Sequence, residues 1–185
     1  MGFRSRAAFK LIEIDQKCNL IKPGMSILDL GAAPGSWSQI ISKKLKKEIK
    51  KIVAVDLLPI DPIDGVEFLQ GDFLDEKTID KIRKIFEKDK IDLILSDISP
   101  NLSGIGVADA SRVNHLGELV LDFCKGNLNV NGSILLKTFH CSGYSQLVEE
   151  YKKVFCQVSK KKPESSRPES AEVFILAKNL KSKVF

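Results

Sequence analysis

Apolar residues in this chain follow two alternating rhythms. Short, nearly unbroken apolar runs predict strands buried on both faces: SILDL (26–30), KIVAVDLL (51–58), VEFLQ (66–70), IDLILSD (91–97) and GSILLKTF (132–139). Between them the apolar positions take helical spacing. WSQIISKKLKK reads as a helix after the first strand, and TIDKIRKIFEK places Ile79, Ile82, Ile85 and Phe86 on one face. Leu116, Leu119, Val120 and Phe123 stand at i, i+3, i+4 and i+7 of a long helix, and Leu147, Val148, Tyr151, Val154 and Phe155 line another. CQVSKKK and EVFILA (172–177) predict a terminal strand pair. RSRAAFKLIEIDQK forms a helix outside the alternation, with Ala8, Leu11 and Ile12 on one face and Arg4, Arg6 and Lys10 elsewhere. Strands alternating with helices predict an α/β, Rossmann-like architecture: a mostly parallel, doubly wound sheet with flanking helices. With no repeat, linker or low-complexity tract, residues 1–185 are expected to form one domain, with residues 1–20 as its N-terminal helix.

Composition narrows the partners. The 185 residues are 43% hydrophobic and 29% charged, ordinary for a soluble globular chain. No apolar run approaches the roughly 20 residues that span a bilayer. MGFRSRAAFK carries arginines with no apolar core behind them, so a secretory signal is not expected. The four cysteines (Cys18, Cys124, Cys141, Cys156) form no C-x-x-C pair, and His115 and His140 complete no ligand set with them. Reduced thiols in a cytoplasmic setting and no bound metal are therefore expected. The net charge of +5 permits a nucleic-acid partner, and equally describes a solvated lysine-rich surface.

In doubly wound sheets, ligands bind beyond the carboxyl ends of the strands. DLGAAPGSWSQ follows the first strand, and its small residues let a ligand approach the backbone. Asp56 closes the second strand, 25 residues after Gly31, where an acid accepts hydrogen bonds from ribose hydroxyls. Asp72 follows the third, placed to accept from an adenine amino group. The spacing Gly31-x-x-x-Gly35 is not the dinucleotide fingerprint, and no G-K-[ST] phosphate loop is present. A glycine-poor loop with acids on the next two strands suits S-adenosylmethionine, which is cationic and lacks phosphate.

SDISPNLSG follows the fourth strand, the position of the catalytic group in many methyltransferases. It lacks the Pro-Pro-aromatic of amine methylation and the nucleophilic cysteine of pyrimidine carbon methylation, Cys141 being the nearest thiol. Asp97 remains, together with Lys137, a lysine inside an apolar strand where an ammonium group loses hydration. Adjacent parallel strands bring these two together, and such a pair is able to activate a hydroxyl. A strand-end lysine reaching to solvent is the plainer reading of Lys137.

RSRAAFKL, LDLGAAPGSWSQ, VDLLPIDPIDGVEFLQGDF, SDISPNLSG, LLKTF and KPESSRPESAEVFILA together resemble the FtsJ-type family of ribosomal RNA 2′-O-ribose methyltransferases, over almost the whole chain and in order. The resemblance implies a class I S-adenosylmethionine-dependent methyltransferase fold and a Lys-Asp-Lys-Glu tetrad, which falls on Lys10, Asp97, Lys137 and Glu172. It implies a cofactor set of Gly31, Ala33, Pro34, Gly35, Trp37, Asp56, Leu57, Asp72, Phe73 and Asp97, with S-adenosylhomocysteine as product. The implied substrate is a ribose, of a uridine, in large-subunit ribosomal RNA; the small domain with no appended RNA-binding module adds the expectation that it acts on the assembled subunit, as a monomer. Arg4, Arg6, Lys160, Lys161 and Arg167, with Lys162, form a candidate RNA-phosphate rim. Two departures stand out: Ser36 where a second glycine is common, and FHCSGY in place of FQGxGF. Methylation of transfer RNA or another RNA, or an inactive RNA-binding module in ribosome assembly, are the alternative readings.

Overall fold

A computed structural model describes residues 2–182 other than 102, 105 and 168, so the two ends of the expected domain, residue 1 and residues 183–185, lie outside the described residues. The elements run α1 (Ala7–Cys18), β1 (Ser26–Leu30), α2 (Ser36–Leu45), β2 (Lys51–Asp56), β3 (Glu67–Gln70), α3 (Glu76–Ile85), β4 (Ile91–Ser96), α4 (Gly106–Asn127), β5 (Leu128–Phe139), α5 (Tyr144–Val154), β6 (Phe155–Lys161) and β7 (Glu172–Leu180). The strands form a seven-stranded sheet ordered β3-β2-β1-β4-β5-β7-β6. β3 through β5 pair in parallel, while β7 pairs antiparallel with both β5 and β6. The expected architecture is borne out, with the terminal pair inserted in the order β7-β6.

Strand periodicity sorts the core into two layers. Leu28, Leu30, Val53, Val55, Ile94, Ile134, Leu136, Val173 and Ile175 point to the side covered by α3, α4 and α5. Ile27, Ile52, Leu93, Leu95, Leu135, Phe174 and Leu176 point to the other, where Ala8, Leu11 and Ile14 of α1 and Trp37, Ile40 and Ile41 of α2 cover them. A fully buried Leu or Ile contributes about 1.5–3 kcal/mol, so the helix that looked supernumerary is held firmly. The buried positions of α1 are Ala8, Leu11, Ile14 and Asp15; Ile12 is only partly buried. Asp15 fastens the end of the helix. Its Oδ1 accepts from the Leu20 and Ile21 amides at 2.9 Å each, and its Oδ2 meets Lys44 Nζ of α2 at 2.5 Å.

Several element ends differ from expectation by a few residues, and two of them have a plain physical reason. β5 starts at Leu128 rather than Gly132, because the NVNG segment continues the ladder with a shift in register against β4. Phe155 begins β6 instead of ending α5: its backbone is extended and pairs with Leu180. Its ring stacks on Tyr151 of α5 at 6.1 Å, so it keeps the apolar contact that its helical spacing suggested.

Candidate active site

The register of the sheet builds the site. Leu93, Ile94, Leu95 and Ser96 pair with Ser133, Ile134, Leu135 and Leu136, so the next pair along is Asp97 and Lys137. Both continue the i, i+2 series of Leu95 and Leu135, whose face carries α1 and α2. Lys137 Nζ lies 3.1 Å from Asp97 Oδ1 and donates to the Asp97 carbonyl at 2.5 Å. The Lys137 side chain is 12% exposed and that of Asp97 22%. Burial pushes the Asp97 carboxyl up, against the pull of the Lys137 and Lys10 ammonium groups.

The antiparallel neighbour completes the group. Lys137 pairs with Phe174 and Phe139 with Glu172, so Glu172 lies two residues from Lys137's partner on the same face. From the helix above that face, Lys10 Nζ reaches both carboxylate oxygens of Glu172, at 2.6 and 2.7 Å. Ser166 Oγ donates to the same carboxylate at 3.1 Å. Lys10 and Glu172 both lie within electrostatic reach of Asp97. All four residues of the expected tetrad therefore converge as two ion pairs. The β6–β7 loop is pinned alongside: Glu13 of α1 accepts from the Glu164 and Ser165 amides at 2.8 and 3.2 Å. The Glu164 amide leads the effects that hold the Glu13 carboxyl down at about 2.

Beside Asp97 and Lys137 opens a cavity of about 310 Å³. Gly31, Ala33, Asp56, Leu57, Asp72 and Phe73 of the expected cofactor set line it. Leu58, Gly71, Ile98 and Ser99 line it as well and were not expected. Leu57 and Leu58 are large exposed apolar residues side by side; the apolar pair directly after the strand-end Asp56 is the sequence signal that could have marked the second of them. Among the described residues the charged lining is three carboxylates, Asp56, Asp72 and Asp97, against one ammonium, Lys137. That balance suits a cationic nucleoside and disfavours a phosphate, and the apolar Leu57, Leu58 and Phe73 suit a base. The residues present therefore fit S-adenosylmethionine.

The loop after β1 is shaped by two glycines. Gly31 has φ +72°, and a Cβ there would stand 2.6 Å from the Ile98 amide nitrogen, backbone that cannot give way. Gly35 has φ +98° and leads directly into α2. Asp56 ties this turn to the segment after its own strand, accepting from Ala33 N and Leu58 N at 2.8 Å each. Beneath it, Asp29 of β1 is fully buried, with Oδ2 accepting from Ser38 Oγ at 2.6 Å and Oδ1 unpartnered. Burial, reinforced by the Asp97 and Asp56 charges, pushes the Asp29 carboxyl up to about 7.

Three expected cofactor contacts are not on the cavity lining. Trp37 is 2% exposed, its indole N–H donates to the Ala7 carbonyl at 2.8 Å, and its ring packs 6.1 Å from Phe174. It is a core residue between α1, α2 and β7. Pro34 and Gly35 turn the chain beside the cavity without facing it. The expected phosphate rim is also divided. Arg4 spends its guanidinium on three backbone carbonyls, those of Pro34, Asp61 and Pro62, at 2.9–3.1 Å. Arg6 and Arg167 join Lys10, Glu172, Ser165 and Ser170 around a second cavity of about 300 Å³. Lys160 and Lys161 pair with Ile175 and Phe174, so they point to opposite faces, and the Lys160 ammonium stands 5.8 Å from the Tyr144 ring centroid.

Comparison with known proteins agrees with this geometry. The profile of the FtsJ-like methyltransferase family matches residues 3–180. The chain is 47% identical to a ribosomal RNA large subunit methyltransferase E of Burkholderia lata, over 97% of this chain and 87% of the relative. It is likewise 47% identical to the protein of the same name in Polynucleobacter asymbioticus, with the same coverage. Among solved structures it is similar to a Plasmodium falciparum chain provisionally described as a ribosomal RNA methyltransferase, with a TM-score of 0.88 and 32% identity over 98% of this chain and 100% of that one. A family profile that matches residues 3–180, with relatives 47% identical over 97% of the chain, leads to one assignment: this chain belongs to the FtsJ-like methyltransferase family.

Proposed function

We propose that this chain methylates the 2′-hydroxyl of a ribose, that of a uridine in large-subunit ribosomal RNA, using S-adenosylmethionine. The observation that carries the reading is the Lys137–Asp97 ion pair at the edge of a cavity whose other charged residues are acidic. S-adenosylmethionine, when bound, supplies a methyl group activated by its sulfonium. Asp56 and Asp72, on the cavity lining, would hold its polar groups, and Leu57, Leu58 and Phe73 its base. Lys137 orients the substrate hydroxyl, and the released proton is taken up within the Lys137–Asp97 pair. Alignment of this kind is worth about 7–11 kcal/mol of barrier. Lys10 and Glu172 fix the far side of the group and set the field at Asp97.

Arg6 and Arg167 would meet the RNA backbone beside Lys10, with Lys160 and Lys161 reaching it from the two faces of β6. The name shared by the bacterial relatives supports ribosomal RNA as substrate. In this reading residues 1–185 act as one domain and as a monomer, on the assembled large subunit, in the cytoplasm. No helix among the described residues is long and apolar enough to cross a membrane. Mass-spectrometric mapping of 2′-O-methyl groups in ribosomal RNA from cells with and without the protein tests the proposal. Loss of one large-subunit methyl is expected, and an unchanged large-subunit map would reject the substrate.

A further inference from the structure

The residues just before and at the start of α1 are stitched to the turn that borders the cofactor-side cavity. Arg4 Nη1 donates to the Pro34 carbonyl at 3.0 Å and to the Asp61 carbonyl at 2.9 Å, and Nη2 to the Pro62 carbonyl at 3.1 Å. The Arg4 amide donates to Gln39 Oε1 at 3.4 Å. The Ser5 and Ser36 hydroxyls bond at 2.7 Å, and the Trp37 indole closes the row on the Ala7 carbonyl at 2.8 Å. Residue 4 thus holds residues 34 and 39, while residues 5 and 7 hold residues 36 and 37 between them.

The opposite side of the same turn faces the cavity. Asp56, on the cavity lining, holds the Ala33 amide, one residue before the carbonyl that Arg4 holds. The turn is therefore clamped between a cavity carboxylate and the Arg4 guanidinium. Gly35 is the residue that makes room: a Cβ there would stand 2.7 Å from Arg4 Nη1. Ser36 supplies the partner of Ser5. Three residues beyond Ala7, on the same helix, is Lys10 with its bond to Glu172.

We propose that residues 4–7 form a strap that couples the cofactor turn to α1, with Arg4 as its positioning residue. Filling the cavity tightens the turn against the strap, and the strap fixes the start of the helix that carries Lys10. Coupling of this kind is reciprocal: whatever orders the strap strengthens cofactor binding by the same factor. The proposal rests on the cavity being the S-adenosylmethionine site.

The test measures S-adenosylhomocysteine affinity by calorimetry and the rate of tryptic cleavage after Arg6, with and without that ligand. Ligand is expected to slow the wild-type cleavage about 10-fold, within the usual range of coupling between sites. Arg4→Met is expected to weaken S-adenosylhomocysteine about 10-fold and to abolish the protection. Its KM for S-adenosylmethionine rises by a similar factor, with kcat at saturating cofactor changed less than about 3-fold. Arg4→Lys does not rescue, because one ammonium cannot span three carbonyls. Lys81→Met, which removes an exposed charge on α3 away from the strap, leaves S-adenosylhomocysteine affinity unchanged. Wild-type affinity in Arg4→Met, or a fall in kcat matching the rise in KM, overturns the strap. If wild-type protein fails to bind S-adenosylhomocysteine, the cavity assignment falls and takes the strap with it. Should Arg4→Met fail to fold, Ser36→Gly decides. A loss of about 2-fold or more in affinity supports the strap, and no loss overturns it.

Discussion

The two ion pairs of the site are built by different means. Lys137–Asp97 joins facing positions, one residue beyond the last pair of the parallel strands β4 and β5 and 40 residues apart in the chain. Lys10–Glu172 spans 162 residues and joins a helix to the antiparallel strand β7. The first is set by ladder hydrogen bonds, and a one-residue slip would turn every side chain of the strand to the other face. The second depends on how Ala8, Leu11 and Ile14 seat α1 on Phe174 and Leu176. A register-locked pair suits the reacting atoms, where small displacements are costly. A helix-borne pair is adjustable, and suits the tuning and placement of its neighbour.

The sharpest break of this comparison is Lys137→Met. Methyl transfer is expected to fall about 10³-fold while S-adenosylhomocysteine affinity stays within about 3-fold. Equal losses of both, by single-turnover assay and calorimetry, would move Lys137 from chemistry to architecture. Asp97→Asn comes next, with a loss of about 10²-fold, because the ammonium keeps its carbonyl partner and loses its counter-charge. Lys10→Met and Glu172→Gln are expected to cost about 10-fold each, and the double variant no more than either alone. Additive losses would mean that the two residues act separately.

The smallest effect on rate, and the clearest on stability, concerns Asp29. Its folded carboxyl titrates near pH 7, far above an unfolded aspartate. Between about pH 4 and 7 the folded chain therefore holds a proton that the unfolded chain has lost. Stability falls as pH rises through that window and is flat above it, by a few kcal/mol in order of magnitude. Asp29→Asn, which cannot ionise, is expected to flatten the profile. Urea unfolding at pH 5 and pH 7.5 checks this, and parallel profiles for wild type and variant would count against the protonated state.

Much of this was legible in the residues. Unbroken apolar runs located the strands, and strand-end acids located the cavity, because burial on two faces and a switch in connection leave such signatures. The Asp97–Lys137 pair followed from adjacent strands alone. Trp37 and Arg4 were misread for a shared reason: their neighbours belong to α1 or to distant loops, and no local spacing encodes them. A tryptophan beside a glycine turn looks like a ligand contact until α1 supplies a carbonyl for its N–H. An arginine in a basic segment looks free until three carbonyls from two loops converge on it. Phe155 was placed in a helix because its ring does pack on Tyr151, while its backbone had already begun to pair with β7.

The place of β7 has a consequence for synthesis. It lies between β5 and β6 yet follows both in the chain. While residues 172–180 are still being made, the edge of β5 that bears Lys137 has no partner on that side, and Glu172 does not yet exist. A nascent chain is thus unable to assemble the proposed reacting group early, however well its first five strands have folded. Competence arrives with one late insertion, which closes the sheet and delivers the fourth residue in a single event.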